Sequence, residues 1–216
     1  MTTPRFSSTD ALRFGWHTTR AHLAPLLIVS AASVVLGMAS QALGRGGAGG
    51  ALVGLVVQVF QIALMLLLTR MAMKVYDGEH FDLAVPGPLL ERFGPYLLSS
   101  FLLGLLVSIG FALLIIPGVL LGLAFGFAPL FTADGQNDPV EAFRASSRLT
   151  RGARGQLFTL GLLLLGVNLL GLLALGVGVM VTVPMSVVSI VYAFRHLQGR
   201  TEAVTPYAHP LTPRPI

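Results

Sequence analysis

Residues 93–133 read FGPYLLSSFLLGLLVSIGFALLIIPGVLLGLAFGFAPLFTA, 41 positions without a charged side chain between Arg92 and Asp134. One crossing of a hydrocarbon core about 30 Å thick takes about 20 mostly apolar residues. The run is twice that length, and Pro117-Gly118 near its middle is a turn signal. It therefore reads as a helical hairpin that leaves one side of a bilayer and returns to it. Residues 155–194 repeat the theme: 40 uncharged positions between Arg154 and Arg195, interrupted by Gly176-Val177-Gly178. Leu23–Gly44 supplies 22 more between His22 and Arg45, and 46–69 follows after a glycine-rich turn. Period-2 alternation is absent and the runs are leucine-rich, which excludes a barrel. The expected fold is all-α: a polytopic membrane protein with six transmembrane helices as three hairpins. The helices are placed at about 23–43, 51–74, 96–116, 118–133, 156–176 and 178–198. The 118–133 segment is short, and reads as a full span through a thin bilayer, a half-span or a re-entrant piece.

Composition agrees. Hydrophobic residues make up 54% of the 216 positions and charged residues 11%, less than half the roughly 25% of ordinary soluble domains. So few charges cannot cover a soluble surface. There is no cysteine, which removes disulfides, Cys-based metal sites and thiol nucleophiles. Residues 1–200 form a single transmembrane domain in this reading, and 201–216, with four prolines, form an extended cytoplasmic tail.

The net charge of +5 does not point to nucleic acid, because the basic residues cluster at the ends of apolar runs rather than along a groove-reading helix. Arg5, Arg13 and Arg20 precede the first span. Arg70, Lys74 and Arg92 separate the second and third; Arg144, Arg148, Arg151 and Arg154 separate the fourth and fifth. Arg195, Arg200 and Arg214 follow the sixth, and Arg45 stands alone on the opposite side. A split of 13 to 1 places both termini in the cytoplasm by the positive-inside rule. Gly37-Met38-Ala39 behind an apolar run has the outline of a signal-peptide cleavage site. The run is long for one, however, and cleavage would leave an odd number of spans, so the first span is read as retained.

An internal repeat is visible. Asp10-Ala11-Leu12-Arg13 and Glu141-Ala142-Phe143-Arg144 are offset by 131 residues, and the same offset aligns His17 with Arg148 and Thr19-Arg20 with Thr150-Arg151. In helical form, Arg13, His17 and Arg20 make one basic stripe, and Arg144, Arg148 and Arg151 another. Leu89-Leu90-Glu91-Arg92-Phe93 is a looser middle copy. The plan is three units, each a short interfacial amphipathic helix followed by two spans. Asp138-Pro139 is a helix start with Asp as the N-cap, and Ser8 or Thr9 is the expected cap of the first interfacial helix. Trp16 sits at headgroup depth. Arg13, Arg20, Arg144, Arg148 and Arg151 are candidate lipid head-group contacts, set against a plain role in topology.

Catalytic chemistry finds no foothold. No ionisable residue lies in the middle of a span, which argues against ion-coupled carriers and proton relays. No nucleophile elbow, zinc helix or phosphate loop is present, so no enzymatic activity, cofactor or metal is expected. Asp77-Gly78-Glu79-His80-Phe81-Asp82 collects three carboxylates and an imidazole, but without EF-hand spacing it reads as a solvated turn. Gln58 and Gln61 share a stripe with Gly54, Met65 and Thr69. These two glutamines and Asn168, flanked by Gly161 and Gly171, are candidates for helix packing or for a substrate path. Gly118, Gly122 and Gly126 form a small-residue face that admits close backbone approach. Pro129 and Pro184 are expected to kink their spans.

Leu113-Leu114-Ile115-Ile116-Pro117-Gly118-Val119, Phe131 to Asp134, Pro139 to Ala142, Ser147 to Gly152 and Val181 to Pro184 together resemble one pattern. It is similar to the membrane domain of glycerophosphoryl diester phosphodiesterases and to YciC-type multi-pass bacterial proteins, over about 100–200. The resemblance implies six helices in a bacterial cytoplasmic (inner) membrane. It does not carry hydrolysis, since no stretch here accommodates the roughly 250-residue catalytic barrel. The expected function is a non-catalytic module that binds membrane lipids, a protein partner or a second copy. The alternative is a small-solute permease or channel.

The charge count has a direct consequence. An impermeant label is expected to miss residues 134–155 in intact cells and to reach them after permeabilisation; labelling from outside overturns the threading.

Overall fold

The computed structural model describes residues 7–21, 23–43, 47–78, 87–173 and 178–199. Among them the chain forms α1 (Ser8–Ala21), α2 (Leu23–Leu43), α3 (Gly47–Tyr76), α4 (Gly87–Leu113) and α5 (Ile115–Phe125). These are followed by α6 (Ala128–Asp134), α7 (Pro139–Thr150), α8 (Arg154–Leu173) and α9 (Val179–Leu197), with no strand among the described residues. Among the described residues, five segments are long and apolar enough to cross a membrane: 49–76, 90–113, 115–134, 154–173 and 179–197. A sixth is added if α1 and α2, bent by 99°, count as one broken span.

Burial is polarised along these helices. On α3, Leu52, Leu55 and Phe60 are more than 60% exposed, while Leu66, Leu68, Thr69 and Ala72 are at most 2% exposed. α4 repeats the pattern, from buried Tyr96 and Ser99 to exposed Phe101, Leu105, Ile109 and Leu113. On α8 it runs from buried Leu157, Leu160 and Leu164 to exposed Leu169, Leu170 and Leu173. The protein core therefore occupies the end of the bundle where α3, α6 and α9 finish. The opposite half presents continuous apolar side chains, which only lipid can cover without a large cost. At 1.5 Å per residue, the 30 residues of α3 reach about 45 Å, more than the hydrocarbon core requires.

Small residues hold the hairpins together. A Cβ on Gly118 would lie 2.7 Å from the Phe111 ring, and one on Gly110 would lie 2.8 Å from the Gly118 Cα, so α4 and α5 touch backbone to backbone. Gly122 of the same face has ordinary room, and Gly126 is confined by the Gly122 carbonyl of its own helix. Gly171 and Gly178 make the equivalent contact between α8 and α9, 2.6 Å from a Cβ on Gly178 to the Gly171 Cα.

Several expectations change. The α4–α5 turn is at Leu114, the non-helical residue at φ −168° and ψ 156°, rather than at Pro117-Gly118. Pro117 occupies the first turn of α5, where a missing N–H is tolerated. Pro129 stands in the first turn of α6, after a break at Gly126-Phe127, and Pro184 remains inside α9. The middle repeat copy is not a separate interfacial helix; Leu90 to Phe93 are early turns of continuous α4. Neither Ser8 nor Thr9 caps α1: Ser7 Oγ accepts from Asp10 N at 3.4 Å, and Ser8 Oγ donates to the Gln156 carbonyl at 3.0 Å. Asp138 does cap α7, accepting from Val140 N at 2.9 Å. Arg5, Arg45, Glu79 to Asp82, Gly176-Val177, Arg200 and the tail from Thr201 lie outside the described residues.

Gly110→Val is expected to cost about 1–3 kcal/mol, the usual penalty of overpacking, read as a lower melting temperature in detergent. Gly54→Ala, where a Cβ meets nothing within 4 Å, is expected to leave it unchanged.

Candidate functional site

α1 and α7 repay the repeat. Ala11, Gly15 and Thr19 are buried on α1, and their equivalents Ala142, Ser146 and Thr150 are buried on α7. Each helix thus presents one stripe of small residues to the bundle at i, i+4, i+8 spacing. Gly15 is small by necessity, since a Cβ there would lie 2.1 Å from Ser189 Oγ on α9. Ser146 Oγ donates to the Ala124 carbonyl and accepts from Phe127 N, and Thr150 Oγ1 donates to Ala124 as well. These bonds satisfy backbone groups freed where α5 gives way to α6. On the opposite faces, Arg13, Arg20, Arg144, Arg148 and Arg151 are exposed. Arg20 lies over the Trp16 ring at 5.5 Å, and Glu141 pairs with Arg148 at 2.5 Å and with Arg144 at 3.7 Å.

The three core-side span ends form a second constellation. α3, α6 and α9 are each followed by a positive-φ glycine: Gly78 (73°), Gly135 (123°) and Gly199 (75°). Such glycines close helix C-termini. The residues just before them, Asp77, Asp134 and Gln198, all bond one guanidinium. Arg195 Nη2 donates to Asp77 Oδ2 at 2.6 Å, and Nη1 donates to Asp134 Oδ2 at 2.7 Å and Gln198 Oε1 at 3.3 Å. The Arg195 side chain is 3% exposed, while those of Asp77 and Asp134 are 27% and 23% exposed. Arg70 and Arg92 each donate to the Ala133 carbonyl, at 2.8 and 2.9 Å, complementing the negative end of α6.

Rings pack around this clasp. Phe14, Tyr76 and Tyr192 form a mutual triad with centroids 5.0 to 5.9 Å apart, joining α1, α3 and α9. Phe127 and Phe131 meet Phe194 at 5.5 and 4.9 Å, joining α6 to α9. Tyr96 is buried, and the Ser99 and Thr132 hydroxyls bond at 2.9 Å, which anchors the start of α4.

The candidate path residues are not brought together. Gln58 is exposed on α3, and Gln61 faces Gly37 of α2, 3.0 Å from a Cβ there. Asn168 Nδ2 donates to Ser186 Oγ at 2.8 Å, binding α8 to α9. Gln61 and Asn168 serve different helix contacts. No group of three or more metal-ligating side chains occurs among the described residues.

Arg195 was counted in the sequence only as a topology arginine. Its partners lie 118 and 61 positions away. The available signal was Asp-Gly, Asp-Gly and Gln-Gly closing alternate apolar runs. Arg195→Met is expected to destabilise the protein by about 3 kcal/mol, the lower end of the range for breaking a buried pair, because the stranded carboxylates are partly hydrated. Arg195→Met combined with Asp77→Asn and Asp134→Asn is expected to recover most of that loss in thermal unfolding.

Relatives agree with this architecture in kind. The chain is 33% identical over 106 residues to a UPF0259 membrane protein of Sodalis glossinidius, covering 49% of this chain and 41% of that protein. It is 29% identical over 162 residues to uncharacterized proteins of Mycobacterium bovis and Mycobacterium tuberculosis, covering 71% of this chain and 50% of each. The chain thus spans about half the length, or somewhat less, of the curated relatives it matches. No solved structure matches it. Residues 88–210 match the model of one family, and with the apolar helices and the membrane-protein relative this makes the chain a multi-pass membrane protein belonging to the family described as Domain of unknown function (DUF7847).

Proposed function

We propose that the chain is a non-catalytic module of a bacterial cytoplasmic membrane that binds anionic phospholipid head groups, with both termini and the interfacial helices α1 and α7 in the cytosol. One observation carries the reading. α1 and α7 seat the same small-residue stripe on the bundle, and each turns a basic row outward: Arg13 and Arg20 on one, Arg144 and Arg148 on the other, with Arg151 exposed at the extended C-cap of α7. An amphipathic helix so held lies in the interface plane, and its guanidinium groups suit phosphate through planar, paired donors. The exposed indole of Trp16 fits the same depth. The match to a UPF0259 membrane protein supports the membrane setting, and no hydrolytic step is proposed. On this threading all three hairpins return to the cytosolic side, and the arginine clasp lies there.

Each arginine near an anionic surface contributes about 1 kcal/mol, and Glu141 offsets part of that for Arg144 and Arg148. The triple variant Arg144→Gln, Arg148→Gln, Arg151→Gln is therefore expected to lower selectivity for spin-labelled phosphatidylglycerol over phosphatidylcholine about tenfold. Arg13→Gln with Arg20→Gln is expected to reduce quenching of Trp16 by brominated phosphatidylglycerol. Unchanged selectivity in folded variants overturns the proposal.

A further inference from the structure

A cavity begins one helical turn from the clasp, where Leu130 and Val191 stand four positions before Asp134 and Arg195. Between α3, α4, α6 and α9 lies a space of about 430 Å³, within the range of ligand sites. Its lining on α4 runs Tyr96, Ser100, Leu103, Gly104, Val107, one helical face at i, i+4, i+7, i+8, i+11 spacing. The hydroxyls lie at the end nearest Arg92, and only apolar or glycine positions lie beyond. α3 repeats the order, with Thr69 next to Arg70 and Met65 one turn farther away. The rest of the wall, from α5 to α9, is apolar or glycine. Tyr96 to Val107 covers about 16 Å at 1.5 Å per residue, close to half of a hydrocarbon core about 30 Å thick.

The geometry points to a binding site for one acyl chain of a phospholipid from the leaflet on the clasp side, with its polar end toward Thr69, Tyr96 and Arg92. Three features support that occupant. The cavity is polar at one end only, which is the order of an amphiphile rather than of a sugar or an ion. Its depth matches one leaflet. Its rim opens to the membrane, since Met65 is 41% exposed and a Cβ on Gly104 meets nothing within 4 Å. Water gains little there, because an apolar cavity offers too few hydrogen-bond partners to hold it. An intercalated chain supplies the dispersion contacts that the separated hairpins do not make with one another. Arg92 gives one N–H to the Ala133 carbonyl, and a guanidinium has five, so it retains donors for a phosphate oxygen. The site is separate from the basic faces of α1 and α7, and does not depend on them.

The test is native mass spectrometry of the detergent-washed protein after titration with palmitoyl-oleoyl phosphatidylglycerol or phosphatidylcholine. One phospholipid per chain is expected, bound at least about tenfold more weakly by Gly104→Phe. Retention is expected to be unchanged in Gly54→Phe and in the α7 triple arginine variant. Equal retention by a folded Gly104→Phe, or equal loss in Gly54→Phe, overturns the site. Loss in the arginine variant alone assigns the bound lipid to the basic faces and likewise overturns it. A second measurement needs no substitution: wild-type protein in vesicles carrying phosphatidylglycerol with a diazirine on its palmitoyl chain. Photolysis is expected to mark 100–107 and 187–191; adducts confined to 52–60 and 165–173 overturn the proposal.

Discussion

A cation withdrawn from water holds the span ends together. Taking a guanidinium out of solvent costs several kcal/mol, so a side chain 3% exposed in a chain this apolar stays there only because its surroundings compensate it. Arg195 receives that compensation from three helix ends at once, through Asp77, Asp134 and Gln198. None of these partners serves the purpose unless its helix stops at the right level. The glycines that follow them, at φ of 73°, 123° and 75°, end each helix where its terminal polar residue turns inward. Apolar residues of the same volume would stabilise the junction as well or better; what they lack is a penalty for misalignment.

That penalty matters because lipid gives no other. Helices in a bilayer have no hydrophobic drive to associate, since the tails around them are as apolar as their own leucines. Leu52, Leu105 and Leu170 are about as well covered by lipid as by a neighbouring helix, and all three are exposed. Two kinds of contact remain. Glycines set backbones against each other within a hairpin, as at Gly110–Gly118 and Gly171–Gly178. Hydrogen bonds join helices, as at Asn168–Ser186 and Ser30 to the Met180 carbonyl, each contributing about 0.6 kcal/mol. The first kind makes hairpins and the clasp makes a bundle of them. Their outer halves remain apart, which is why cavities lie just above the clasp.

What could be read in advance follows from the range of each signal. Apolar length is local, so most span positions were legible to within a few residues; the α4–α5 turn was misplaced only because Leu114, not the proline, leaves the helical region. Periodicity is local too, and the 131-residue offset identified α1 and α7 as one design, down to the pairing of buried Ala11 with Ala142 and Thr19 with Thr150. The middle copy failed because α4 runs unbroken from Leu90 through Tyr96 with Pro95 inside it. The clasp was illegible for a different reason. Asp77-Gly78 looks like any turn, and nothing nearby in sequence indicates a partner 118 positions away. Gln58 and Asn168 were grouped by chemistry, but depth and azimuth decide contact, and those come only with the fold.

The same residue type does two kinds of work here, and its setting in the helix separates them. Arg70, Arg92 and Arg195 stand where apolar spans begin or end, so their stems continue a buried face and their charges turn in toward Ala133 and Asp134. Arg13, Arg144 and Arg148 stand on helices whose buried stripe is made of alanine, glycine, serine and threonine. A stripe that small lets the helix lie flat against the bundle, which leaves long side chains only the outward direction. The sequence count of thirteen basic residues in alternate loops therefore overstates the charge that the helices turn outward. A topology count weighs an arginine bonded inside the bundle and one on an exposed face equally, although only the second turns its whole side chain outward.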